Sequence, residues 1–166
     1  CGVVRGRTPA RAASGGADLF LGRHLEPPEP AVGGHTPHFA ADGGIWPVHC
    51  VQGTWGADLH PGLQVSGPVV RKGSNGEDGY SGFTMRDPTT GETVPTALEG
   101  ILRDRAVHRV VIGGLATDYC VKATALDSAA AGFPTLLVTS ATAPVTTAGG
   151  ATALDELARA GVHFVA

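Results

Sequence analysis

Two residues stand where reactive groups are commonly displayed. Cys120 follows the apolar run RVVIGG and the connection LATDYC, and it opens the Ala-rich stretch VKATALDSAAAGF. This order predicts a strand, a tight turn and a helix, with Cys120 in the helix's first turn. The positive end of a helix favours a thiolate over a thiol. The N–H groups of a first turn can hold an oxyanion. The chemistry implied is nucleophilic attack on an acyl carbon. Lys72 closes a second apolar run, PVVRK, and could place positive charge beside such a centre. Taken singly, a free cysteine is commonly an inert core residue, and a lysine at a strand end commonly keeps its head in water. The pair, each just past a strand, points towards function.

Histidines form a second group. His35, His38 and His49 fall in one loop-like segment, with His24 upstream. Neutral imidazole is a common metal ligand, and one loop can converge several; surface loops also carry histidine for no such reason. His60, His108 and His163 lie outside the group and read as structural. Trp46, between Ile45 and Pro47, could wall an aromatic ligand site or simply pack its loop. Cys50 reads as packing, and Asp118 as a cap on the helix that carries Cys120.

The elements that must position these residues follow from pattern. VPTALEGILRDRA has helical spacing at Leu98, Ile101 and Leu102, with Thr96 as its N-terminal cue. RVVIGG and TLLVTS read as strands. VKATALDSAAAGF reads as a helix stopped by Gly132, and TAGGATALDELARAG as a helix stopped by Gly161. VHFV is a last strand. Strand, helix, strand, helix, strand is the βαβ pattern of an α/β protein with a parallel sheet. Such sheets bind ligands at the carboxyl ends of their strands, where Lys72 and Cys120 fall. Residues 1–34 differ in texture: they are Pro/Gly-rich, and their single short apolar piece is Leu19 to Leu21. The segment from His35 to Leu63 reads as one long loop, a length that usually signals function.

The chain has 166 residues, 42% hydrophobic and 16% charged, with a net charge of -3. That suits one domain with a buried core. Scattered Lys and Arg give no nucleic-acid footprint. No apolar run is long enough to cross a membrane, and no secretory leader is evident. The three cysteines, Cys1, Cys50 and Cys120, make no CxxC pair or disulfide framework, as expected in a reducing, cytoplasmic setting.

Three motifs carry a resemblance to a known family. FAADGGIWPVHCVQGTWGADLHP resembles a GG-x-WP-x-HCV-x-GT-x-GA core. RKGSNGEDGYSGF resembles a KG motif followed by Tyr-Ser-x-Phe. VIGGLATDYCVKATALDSAAAGF resembles a nucleophile segment. In this order they resemble the isochorismatase-like cysteine hydrolases, and the WP-x-HCV piece resembles the nicotinamidases among them. The likeness covers residues 36 to 166. It implies a three-layer α-β-α fold around a mostly parallel sheet, in a hydrolase domain of residues 35–166.

The resemblance also implies roles. Cys120 is the nucleophile and Lys72 the catalytic lysine. Leu115–Ala116 matches the family's cis peptide, and the N–H groups of Ala116 and Cys120 match its oxyanion hole. Trp46, Tyr80 and Leu115 match the substrate site. His38, His49 and His24 match ligands of a divalent metal, Zn2+ by expectation. The implied reaction is deamidation of nicotinamide to nicotinate and ammonia through a cysteine thioester. The expected partner is that small molecule, with no nucleic acid or membrane; a homo-oligomer is left open.

Two departures stand out. The family's first strand ends in D-x-Q-x-D-F, whose first Asp activates the cysteine, and this motif is absent. Its first strand is therefore expected to be missing or altered, with Asp18 as the nearest substitute acid. The metal motif D-x-H is matched by Gly22-Arg23-His24, with Gly in place of Asp. Two rival readings follow: an isochorismatase-like hydrolase of another amide, and a degenerate subunit that binds ligand without turnover.

Overall fold

The computed structural model describes residues 2–7, 17–23, 39–40, 44–63, 67–73, 79–87 and 90–166, with residues 2–7 and 17–23 described by their backbone. Among these residues eight strands and three α-helices follow in the order β1 (Gly2–Arg7), β2 (Ala17–Arg23), β3 (Val69–Lys72), β4 (Thr84–Arg86), β5 (Thr93–Pro95), α1 (Leu98–Asp104), β6 (Arg109–Leu115), α2 (Lys122–Ala130), β7 (Thr135–Ala143), α3 (Thr147–Arg159) and β8 (His163–Val165). Six strands form one sheet in the order β3-β2-β1-β6-β7-β8, while β4 and β5 pair separately.

The sheet is α/β in character and mostly parallel. β2 runs parallel to β3, and β6, β7 and β8 run parallel to one another. β1 is antiparallel to both its neighbours, so β2 and β6 point the same way and five of six strands share one direction. β1 and β2 lie where the sequence offered only the short piece Leu19 to Leu21. Pairing with distant partners makes them strands, because Gly and Arg in GVVRGR give little local β preference.

The right-handed crossover rule fixes the helix layer. The chain passes from β3 to β6 and then to β7 and β8, always towards the same edge, so α1, α2 and α3 share one face. Along β6, Val110 and Ile112 are fully buried while Val111 is only half-buried, the period-two alternation of a strand with one face on a core. They pack with Leu98 and Leu102 of α1, Val121 and Ala125 around the start of α2, Leu137 of β7 and Leu157 of α3. Burying each of these Val, Leu and Ile side chains is worth about 1.5–3 kcal/mol.

Helix boundaries follow the signals in the sequence. The Thr96 hydroxyl accepts from Leu98 N at 3.1 Å, starting α1. α2 and α3 end at Gly132 and Gly161, both with positive φ. At each end the glycine N–H and the next N–H turn back to helix carbonyls, as in Gly132 N to Ala129 O and Phe133 N to Ser128 O, a paired closure that satisfies the last turn. α1 closes in the same way at Ala106, whose φ is 49. Among the described residues no helix is long and apolar enough to cross a membrane.

Candidate active site

The shared strand direction brings the carboxyl ends of β3 and β6 to one edge of the sheet. Lys72 is the last residue of β3 and is only 3% exposed. Its Nζ donates to the Tyr80 carbonyl, so Tyr80 lies against the buried amine. β6 ends at Leu115, and the Leu115–Ala116 peptide is cis. A single widened turn, Thr117–Val121, then carries Cys120 into α2. Tyr119 N and Val121 N both donate to Ala116 O at 3.1 Å. Cys120 is a free, half-buried cysteine, and its carbonyl accepts from Thr124 Oγ1 at 2.6 Å.

That turn is held from three sides. Thr117 Oγ1 lies 2.8 Å from Thr142 Oγ1, and the Thr142 hydroxyl also reaches Gly114 O at 2.8 Å. Gly82 N donates to Thr124 Oγ1 at 2.9 Å. Asp118 is 9% exposed and makes the third tie. Its Oδ1 accepts from Val145 N at 2.9 Å and its Oδ2 from Thr146 N at 3.3 Å. The expectation that Asp118 caps its own helix is therefore corrected. The start of that helix has no side-chain cap; the carboxylate accepts instead from the N–H groups leading into α3.

An aromatic cluster gathers around Tyr119, the residue before Cys120. Trp46 Nε1 donates to Tyr80 Oη at 3.0 Å. The Tyr119 ring meets Trp46 edge-on at 4.7 Å and lies 5.4 Å from Tyr80. His49 meets the edges of both Trp46 and Phe39. Tyr119 was missed by the sequence reading, although its place directly before Cys120 in DYC was a usable signal. Leu115, expected at the substrate site, is 55% exposed at the end of β6. Cys50, expected to pack, is half-buried outside the core and holds a φ of 53.

The metal expectation meets the structure at His49. Its Nδ1 lies 2.6 Å from Pro47 O, and a carbonyl only accepts, so Nδ1 carries a proton and the neutral ring takes the Nδ1–H tautomer. This tautomer, fixed by a backbone carbonyl, suits a metal ligand. His38 and His24 lie outside the described residues. Among the described residues no three His, Cys, Asp or Glu side chains gather as a metal site. His60 instead shapes a turn, its Nδ1 accepting from Gly62 N at 3.1 Å.

Strand register decides the position of Asp18. Arg23, at the carboxyl end of β2, pairs with Lys72, whereas Asp18 pairs with Arg5 near the other end. Five residues of strand separate the two levels by about 16 Å. Asp18 thus belongs to the edge away from Cys120, which corrects its candidacy as a substitute acid. Apart from Asp18, the strands GVVRGR and ADLFLGR contain no acidic residue.

An α/β sheet with a buried lysine after one strand and a cysteine in the turn after another, reached through a cis peptide, defines an isochorismatase-type fold. The isochorismatase domain family matches residues 15–166, and the chain belongs to it. It is 41% identical over 100 residues to the nicotinamidase of Acinetobacter baylyi, covering 58% of this chain and 45% of that protein. It is 38% identical over 144 residues to the nicotinamidase/pyrazinamidase of Mycobacterium tuberculosis, covering 86% of this chain and 72% of that one. The chain thus spans under half the length of the first relative. Among solved structures, the pyrazinamidase of Pyrococcus horikoshii in complex with zinc aligns with a TM-score of 0.71 at 34% identity, over 89% of this chain and 73% of that one. PnC1 from L. infantum, in complex with nicotinate, aligns with a TM-score of 0.74 at 34% identity, over 89% and 70%.

Proposed function

We propose that this chain is an amidohydrolase that deamidates nicotinamide to nicotinate and ammonia. The observation that carries the reading is the meeting of Trp46 and Tyr80 with Tyr119, the residue before Cys120 in the chain. Flat aromatic walls suit a pyridine ring, and a ring held there presents its carboxamide to the turn that bears the thiol. Relatives named nicotinamidase and the nicotinate in a structural neighbour support the substrate.

In this reading Cys120 Sγ attacks the carboxamide carbon. The developing oxyanion is met by the N–H groups of Ala116, just before the turn, and of Cys120, within it. Lys72 contributes positive charge from a nearly dry position. The C–N bond then breaks, and the proton given up by the thiol leaves with the amine as ammonia. Water cleaves the resulting thioester, giving nicotinate and restoring the thiol. Leu115 lines the mouth of the site.

His49, together with His38 and His24, is proposed to hold a divalent metal, zinc by analogy with the Pyrococcus horikoshii structure. When bound, such an ion supplies an electrophilic anchor for a ring nitrogen. The proposed setting is cytoplasmic salvage of pyridine nucleotides. Acid quenching of the chain during turnover, followed by peptide mass mapping, tests the reading: a nicotinoyl group on the Cys120 peptide is expected, and its steady absence during ammonia release would exclude the thioester route.

A second reading, a subunit that binds ligand without turnover, draws on the register that carries Asp18 away from the site. It predicts nicotinate binding with no ammonia release.

A further inference from the structure

We propose that Asp118 is a positioning residue that aligns Cys120 by clamping its turn onto the start of α3. This rests on the reading of Cys120 as nucleophile. A buried carboxylate two residues before the thiol is an unusual group to place there, since a nearby negative charge opposes a thiolate. Its bonds explain it. An ionised carboxylate only accepts, and here both oxygens face backbone N–H groups, those of Val145 and Thr146. The start of a helix also carries partial positive charge, so α3 offsets the anion that its own N-terminus recruits.

The first turn of α3 is cut to fit this carboxylate. Thr146 caps the helix, its Oγ1 accepting from Gly149 N at 3.0 Å. A Cβ placed on Gly149 would lie 2.5 Å from Asp118 Oδ2 and 2.8 Å from Thr146 Oγ1. A Cβ on Gly150 would lie 2.8 Å from two carbons of the Pro144 ring. The paired glycines therefore let α3 close on both Asp118 and the segment before it. The sequence reading treated TAGG only as a helix start, yet its glycines are weak helix formers. The approach of Asp118 supplies the reason for the first of them.

The clamp fixes where Cys120 stands relative to the N–H groups of its own turn. Asp118→Asn keeps one acceptor oxygen but turns an NH2 towards a backbone N–H, so one of the two bonds is lost. Gly149→Ala leaves Asp118 in place and displaces its carboxylate. Both variants should act on Cys120 and leave Cys50 alone. Cys50 is also half-buried and free, and it takes no part in the bonds between Asp118 and the start of α3, which makes it an internal reference.

The test is alkylation of the folded full chain with iodoacetamide, with Cys120 and Cys50 followed separately by peptide mass. In Asp118→Asn and in Gly149→Ala the Cys120 rate is expected to change about fivefold relative to Cys50, as the turn no longer holds the thiol in its native place. In nicotinamide turnover kcat should fall about tenfold, with KM changed less than about twofold, the signature of lost alignment. In an Asp118→Ser background, Gly149→Ala should cost less than it does in the wild-type chain, because of the two groups it crowds only Thr146 Oγ1 remains. An unchanged Cys120 to Cys50 ratio in both variants, or both cysteines accelerating together, would overturn the proposal. Should Asp118→Asn not fold, Gly149→Ala decides. A wild-type chain that alkylates at Cys120 but releases no ammonia contradicts the deamidation reading alone.

Discussion

The indole N–H of Trp46 donates to the Tyr80 hydroxyl at 3.0 Å across 34 residues of sequence. This bond joins the loop WPVHC to the loop after β3, and Tyr119 packs against both rings. Tyr80→Phe removes the acceptor and keeps the ring. A hydrogen bond of this kind is worth about 1 kcal/mol, so KM for nicotinamide should rise about fivefold with kcat little changed. Steady-state kinetics on the purified variant checks this.

Lys72 is buried and donates to the Tyr80 carbonyl. Lys72→Met keeps the length and apolar stem but removes the charge. The loss in kcat should be about 10²–10³-fold, the scale of removing one electrostatic contact to a developing oxyanion. Lys72→Arg should not restore activity, because a planar fork does not fit the place of a compact ammonium. Recovery by arginine would show that charge alone suffices.

Ala106 closes α1 in a left-handed conformation that glycine fills at the ends of α2 and α3. Ala106→Gly removes the Cβ clash and adds freedom to the unfolded chain, two opposed effects of about 1–2 and 0.5–1 kcal/mol. The net expectation is a stabilisation of about 0.5–1 kcal/mol, read as a higher urea midpoint with an unchanged slope.

Ser128 and Thr135 are almost fully buried, with their hydroxyl oxygens 2.8 Å apart. The Thr135 hydroxyl donates to Phe133 O at 2.8 Å, so the Ser128 hydroxyl is the donor between the two. Ser128→Ala leaves Thr135 with its own acceptor, whereas Thr135→Val leaves both Ser128 and Phe133 O short of a partner. Thr135→Val should cost about 1–3 kcal/mol and Ser128→Ala less. Denaturation of the two single variants distinguishes them.

Much of the frame was legible because it rests on local signals. The β6–α2–β7–α3–β8 order follows from apolar runs separated by amphipathic stretches, and Gly132 and Gly161 mark helix ends through a conformation other residues avoid. Lys72 and Cys120 could be placed at strand ends for the same reason. The partners of Asp118 were not legible, since Val145 and Thr146 lie 27 and 28 residues away and a carboxylate before a helix has a nearer use as a cap. β1 and β2 were missed because pairing, not composition, makes them strands. The level of Asp18 likewise depends on register, which a one-residue slip would change and no local pattern records.

The most direct test is ammonia release from nicotinamide by the purified chain with added Zn2+, measured beside Cys120→Ala. Release by the wild-type chain that disappears in Cys120→Ala is the predicted result. A folded wild-type chain that binds nicotinate but yields no ammonia, or release that persists in Cys120→Ala, would contradict it.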